Sequence, residues 1–259
     1  MKFKSYAGGL LLGFLVGAIV PAGQVAEMAP YADSGGSLQQ PHGRIFYLYR
    51  KVQNVNTEAH KAKARQLIME GQDYSLALAE LNLVINMDKE DAEAFLLRGL
   101  AYTEMDKFKE AEDDYKAALM LEPENPTFYY YRGQNFLLWP SDGSTTITQF
   151  LGQHEYAPSR QLKALEMFQK ALKIEPGYID AIVGIGDVCY TIATANHRMV
   201  ISREAWLKKS LDQYNQVLVL FGDNDVIKAK KEIAEQTLRA GQQAEQERQR
   251  KEEIRKRIG

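Results

Sequence analysis

Four histidines and one cysteine have the most capacity for metal or nucleophilic chemistry in this 259-residue chain. They are His42, His60, His154, His197 and Cys189. Their spacing supports neither chemistry. No H-x-x-x-H or C-x-x-C pair puts two ligands on one helix face or in one loop. His42 and His154 stand in polar, turn-rich segments and His60 near a helix start, so solvent exposure is expected of them. His197 follows Asn196 as a helix C-terminal pair would. A single cysteine allows no intramolecular disulfide, and Cys189 falls on an apolar stripe, as a small core residue does. No G-x-x-x-x-G-K, G-x-G-x-x-G or G-x-S-x-G run is present. Gly184 and Gly186 flank Ile185 inside a helical pattern, where helix packing accounts for them. These absences predict no catalytic residue, no metal and no cofactor, and leave recognition as the chemistry to look for.

The elements that would carry recognition are clearest at Ala92–Asn125. Phe95, Gly99 and Tyr102 recur at i, i+4, i+7 and make one apolar stripe on a first helix. Ala111, Tyr115 and Ala118 repeat the spacing on a second. Asp106 marks the turn between them, and Pro123 stops the second helix, with Glu122 before it biased out of the helical region. Gly99 and Ala111 are small where two helix backbones must approach closely. The stretch resembles a tetratricopeptide repeat, whose 34-residue pattern reads W-x2-L-G-x2-Y, A-x3-F, P. Phe95 takes the Trp place, Gly99, Tyr102, Ala111, Tyr115, Ala118 and Pro123 follow in register, and only Arg98 departs.

One such hairpin cannot bury its own apolar face, so copies must stack on it. One period back, Glu58–Asp91 has Ala64, Ile68, Tyr74, Ala77, Leu81 and Val84 in place, with Arg65 and Lys89 departing. One period on, Pro126–Tyr178 has Tyr129, Gly133, Phe136, Ala164, Phe168, Ala171 and Pro176, split by an insertion at 139–160 of about 19 residues beyond the 34-residue period. Ile179–Asn224 has Ile182, Ile185, Gly186, Cys189, Ser210, Tyr214 and Val217, and about 12 extra residues on the same count. The resemblance covers roughly 58–224 and implies an all-α fold: a right-handed α-solenoid of about four tetratricopeptide hairpins with a C-terminal capping helix.

In that family the first helix of each pair lines a concave groove. The resemblance implies groove places at Ala62, Gln66 and Met69; Leu96, Leu100 and Thr103; Tyr130, Gln134 and Leu137; Val183, Asp187 and Tyr190. The set is apolar and aromatic with a few amides, suited to a helix or extended segment with apolar anchors. Tyr130 is the expected aromatic anchor. The family's chaperone-binding members hold a terminal carboxylate with Lys and Asn; Ala62 and Gln66 stand at those places here, so that specificity is not expected. The partner is a protein or peptide of unspecified identity.

Charge points to no nucleic acid, since the net charge is −2. It is uneven: residues 57–125 carry 8 Lys and Arg against 16 Asp and Glu, and residues 225–259 carry 10 against 7. Both are read as solvated helix faces. At the start, Lys2 and Lys4 precede the uncharged run Ala7–Val20, and Val20-Pro21-Ala22 offers small residues for cleavage after Ala22. This is the pattern of a signal peptide over 1–22, which implies repeats outside the cytoplasm, in a bacterial periplasm. The alternative is a retained anchor over 5–26, with Gly9, Gly13 and Gly17 four apart and suited to self-association in lipid.

Residues 23–44 read as a Gly/Ser/Gln/Pro-rich linker, and 45–56 as a short leading helix on the first repeat. Thr57 is the expected N-cap of the repeat domain, 57–224. The 139–160 insertion carries Pro140, Asp142-Gly143 and Pro158 and reads as a loop. Its Trp139, Ile147, Phe150, Leu151 and Tyr156 predict that it folds back on the helices. The helices of the fourth repeat are expected to be longer by one or two turns. Residues 225–259 form a charged helix in which Val226, Ile227, Ile233 and Leu238 are expected to cover the last repeat, with i, i+4 ion pairs beyond Gly241.

Overall fold

The computed structural model describes residues 41–71, 73–140, 145–150, 153–195 and 202–258. The signal or anchor segment and most of the linker lie outside them. Nine helices occur among the described residues, and α1 packs on α2, α5 on α6 and α7 on α8, the hairpin organisation of an α-solenoid. The chain divides into two compact units, the first ending at Ala101 and the second beginning at Tyr102.

The first unit holds α1 (Pro41–Glu70), α2 (Tyr74–Met87) and most of α3 (Ala92–Glu104). The sequence divides 41–70 into linker end, leading helix and repeat helix, but α1 runs through all three without a break. No Gly or Pro falls between Arg44 and Glu70, so nothing interrupts it. Thr57 is accordingly no N-cap; it is buried inside α1. Gly71, at φ 62, ends α1, and its N–H reaches the Ile68 carbonyl at 3.2 Å. Asp73 caps α2 by accepting from the Leu76 N–H at 2.9 Å, and Asp91 accepts from Ala94 N–H at the head of α3, also at 2.9 Å. Ala64, Ala77, Leu81, Val84, Ala94 and Leu97 form the core.

Charged groups ring that core. Lys61 is buried, with its Nζ 2.7 Å from Glu58, 2.9 Å from Asp91 and 3.0 Å from Glu93. Burial alone would lower its pKa; the three carboxylates outweigh that and raise it. Buried Glu80 takes Lys63 Nζ and His60 Nδ1, each at 2.5 Å. His60 is thus tied into the fold rather than free in solvent.

The second unit holds the end of α3, α4 (Phe108–Leu121), α5 (Pro126–Leu138), α6 (Ser159–Ile174), α7 (Ile179–Thr194), α8 (Arg203–Phe221) and α9 (Asp225–Ile258). Asp106 ends α3 in a left-handed conformation, φ 59. The Lys107 N–H reaches the Tyr102 carbonyl at 2.9 Å and the Asp106 N–H the Thr103 carbonyl at 3.1 Å, a Schellman closure. Where a loop is expected, an antiparallel hairpin forms from β1 (Thr145–Phe150) and β2 (Gln153–Pro158), pairing Ile147 with Tyr156, and both strands contact α6. The run TTITQF is rich in β-branched residues, which favour that pairing. Helices α7 and α8, with 16 and 19 residues, exceed α3 and α4, with 13 and 14.

The core of this unit repeats one device. A Cβ on Gly133 would stand 2.7 Å from the Phe168 ring, and a Cβ on Gly186 2.6 Å from the Tyr214 ring. In each repeat a first-helix glycine thus admits a second-helix aromatic. Ser210 Oγ also donates to the Gly186 carbonyl at 2.8 Å. Along α9, Ile227 and Ala234 are buried and Leu238 packs on the core, whereas Val226 and Ile233 are about half exposed. The covering stripe is therefore one residue round from Val226/Ile233: Ile227 and Ala234 pack with Val183, Tyr214 and Val217, and Lys230 beside them meets Asp187 at 2.5 Å. Beyond Gly241 every described residue of α9 is exposed, and pairs such as Lys256 with Glu252 support it.

Candidate interaction groove

Helices α5 and α7 are the first helices of two successive repeats and lie in contact. Pro126 at the first turn and Asn125, accepting from the Thr127 N–H at 3.1 Å, start α5. Asp180 stands in the first turn of α7, and the Ala195 N–H closes its end on the Thr191 carbonyl.

The expected groove residues separate by place in the repeat. The fifth place is buried in each of the last three repeats: Leu96, Tyr130 and Val183 are 6–7% exposed. Tyr130 is core. Its ring meets Phe168 at 5.8 Å and Tyr178 at 5.7 Å, and α7 closes over it. Val183 is covered by the cluster that includes Tyr214, Ile227 and Ala234. Thr103 is also buried rather than open. Its hydroxyl donates to Asn135 Oδ1 at 3.1 Å and lies 3.0 Å from the Tyr115 hydroxyl, while Asn135 Nδ2 donates to the Phe108 carbonyl at 3.0 Å. For Tyr130, Val183 and Thr103 the reason is the same: side chains of neighbouring helices pack over them.

In the third and fourth repeats the ninth and twelfth places stay accessible. On α5 these are Gln134 and Leu137, on α7 Asp187 and Tyr190, all half-buried. Gln134 Nε2 donates to the Tyr130 hydroxyl at 3.3 Å. Asp187 accepts from the Tyr214 hydroxyl at 2.7 Å and from Lys230 at 2.5 Å, and Tyr190 meets the Thr237 hydroxyl at 3.4 Å. Helix α9 therefore borders this surface on the α7 side. In the first unit, Leu100 is half-buried, while Ala62, Gln66 and Met69 are exposed.

Two further residues lie on these helices or at their ends. Trp139, after α5, stacks on Phe108 and Phe136 at 6.0 and 6.4 Å, with the Arg160 guanidinium 4.6 Å above it. Asp180 occupies the second place of the fourth repeat, a family groove place. Trp139 packs as the apolar content of the insertion predicts, whereas Asp180 had no sequence signal beyond residue type.

Burial pushes the Cys189 thiol up to about 12, so it stays protonated. Among the described residues no group of three or more His, Cys, Asp or Glu is placed to hold a metal ion.

Helices α3 and α4, the Schellman turn at Asp106 and the buried Tyr115 and Ala118 account physically for the stretch 92–125, and the family description "Tetratricopeptide repeat" matches those same residues. Residues 92–125 are a tetratricopeptide repeat. Similar solved structures include the second TPR domain of human RPAP3, solved in complex with the HSP70 peptide SGPTIEEVD. It is 20% identical, over 52% of this chain and 97% of that one, with a TM-score of 0.42. The Arabidopsis OM64 TPR domain is 21% identical over 51% and 93%, with a TM-score of 0.41. A crystal structure of MamA is 23% identical over 65% and 85%, with a TM-score of 0.44. A comparison with curated protein sequences found no match.

Proposed function

We propose that this protein is a non-enzymatic interaction scaffold that holds a peptide or helix of a protein partner on the α5–α7 surface. The observation that supports it most is the separation just described. The fifth places pack inward, while Gln134, Leu137, Asp187 and Tyr190 remain half-buried on two adjacent first helices. Apolar and aromatic side chains beside amides and a carboxylate suit a segment with apolar anchors. Leu137→Arg places a charge on that surface without touching the buried places. It is expected to abolish partner capture from a cell extract while circular dichroism stays that of the unchanged protein. Lys170→Glu, on the outer side of α6, is expected to leave capture intact. Equal capture by both variants sinks the reading.

The scaffold reading extends to location. The basic start, the apolar run Ala7–Val20 and the small residues before Gly23 support action outside the cytoplasm, in a bacterial envelope. That segment lies outside the described residues. No helix among the described residues is long and apolar enough to cross a membrane, which leaves an anchor at 5–26 open. A mature N-terminus near Gly23 in a soluble envelope fraction fits the exported scaffold. Full-length protein in the membrane fraction fits an anchored assembly subunit that self-associates through Gly9, Gly13 and Gly17.

A further inference from the structure

Past Gln242, whose Nε2 still reaches Glu204 at 3.0 Å, every described residue of α9 is exposed. Two isoleucines stand open there: Ile254 is 47% and Ile258 82% exposed, and neither joins the cores described above. Residues 248–258 carry six cations, Arg248, Arg250, Lys251, Arg255, Lys256 and Arg257, against two carboxylates, Glu252 and Glu253. Lys256 meets Glu252 at 3.1 Å and Arg248 meets Glu245 at 2.9 Å. Arg250, Arg255 and Arg257 have no carboxylate within ion-pair reach among the described residues.

The α-helical turn sorts these side chains by face. Ile254 and Ile258 lie one above the other, one turn apart. Arg250 and Arg257 flank them on one side, Lys251 and Arg255 on the other. Glu245, Gln249, Glu252 and Glu253 are turned away. The stripe stops two turns before Ile254 at Glu247, which Lys251 meets at 3.8 Å. A solvated helix has no use for such a face. Its i, i+4 ion pairs need no apolar stripe, and isoleucine is a weaker helix former than Ala, Lys or Gln. A coiled-coil partner would meet Glu247 and Lys251 at the preceding seam positions. A protein groove takes anchors at i, i+3 or i+4, and i+7, whereas these two isoleucines span a single turn.

We propose that this face of α9, Ile254 and Ile258 between Arg250, Lys251, Arg255 and Arg257, docks on an anionic lipid surface. Charge complementarity selects that occupant. Four cations meet headgroup phosphates while the two isoleucines enter the acyl boundary, with the helix lying in the plane of the surface. Long Lys and Arg stems keep their charges at headgroup level beside the buried apolar pair. The carboxylates on the other face stay in water. The docking is peripheral, because α9 is not apolar enough to cross a membrane. It is independent of the groove reading and of the fate of residues 1–22.

The full chain carrying an environment-sensitive thiol dye tests this. Cys189 is buried, so the label goes to an introduced cysteine. Ile258→Cys puts the dye on the docking face and Gln249→Cys puts it on the opposite one. With vesicles of equal parts phosphatidylcholine and phosphatidylglycerol, the dye at 258 is expected to brighten and shift to the blue, while that at 249 stays as in buffer. Vesicles of phosphatidylcholine alone should shift neither, whether or not residues 5–26 insert into them. Arg250→Gln, Arg255→Gln and Arg257→Gln together should raise the lipid needed for half the change roughly a hundredfold, about fivefold for each cation, with circular dichroism unchanged. No shift at 258 on the anionic vesicles overturns the proposal. An equal shift on both vesicle types, or a triple variant that behaves like the unchanged protein, overturns it as well. A shift at 258 with polyglutamate but not with vesicles assigns the face to an acidic protein and likewise overturns it.

Discussion

A Cβ on Gly186 would stand 2.6 Å from the ring of Tyr214, closer than real Cβ atoms come to a neighbour. The ring cannot retreat, because its hydroxyl is held by Asp187 at 2.7 Å. Gly186→Ala is therefore expected to lower stability by about 1–3 kcal/mol, the range for overpacking. Gly241 meets nothing within 4 Å inside α9. Gly241→Ala should raise helicity and cost nothing, gaining up to about 1 kcal/mol of helix propensity. Chemical denaturation of both variants checks the contrast.

Tyr130 was the expected binding anchor, yet it is 6% exposed and packed on Phe168 and Tyr178. Tyr130→Ala should destabilise the fold by about 3–5 kcal/mol, as deletion of a buried ring does. The midpoint of thermal unfolding should fall well below that of Leu137→Ala, whose side chain is half-buried at the surface. Equal midpoints would return Tyr130 to the surface.

Asp106 adopts φ 59, where an L side chain is strained and glycine is not. Asp106→Gly is expected to stabilise the protein by about 1 kcal/mol or somewhat less. The Schellman bonds from Lys107 and Asp106 N–H to the end of α3 need no side chain. A drop in the urea midpoint would show that the carboxylate has a structural role there.

Two carboxylates should give opposite pH dependence. Hydrogen bonds from Lys63 and His60 hold Glu80 below its ordinary 4.5. Its contribution is full above that value and is lost as pH falls through the lower folded value. Glu80→Gln should flatten the acid side of the stability curve. Burial raises Asp180 above its ordinary 3.8, so the folded state is penalised as pH rises through 3.8 to the folded value. Asp180→Asn should raise the melting temperature at neutral pH and give no gain below the ordinary aspartate value. Melting curves across pH for both variants separate the two signs.

The sequence by itself determined the hairpins, their period and their internal seams. Phe95, Gly99, Tyr102 and Ala111, Tyr115, Ala118 recur at a spacing set by 3.6 residues per turn, which is a local property of the chain. The continuity of α1 was equally local, written in the lack of a breaker before Gly71, and so was the hairpin, in the β-branched run Thr145–Thr148. What only the tertiary structure decided is which side of each first helix is covered. Tyr130 and Gln134 lie one turn apart and look alike to any periodicity; α7, beginning 45 residues after Gln134 in sequence, buries one and leaves the other half open. Val226/Ile233 and Ile227/Ala234 share the same spacing on α9, and the second pair is the one that packs with Val183, Tyr214 and Val217 from other helices. Asp180, too, is set apart from an exposed acidic residue only by burial, which raises its carboxyl. Burial is a property of neighbours brought in from elsewhere in the chain, so it is absent from the local pattern.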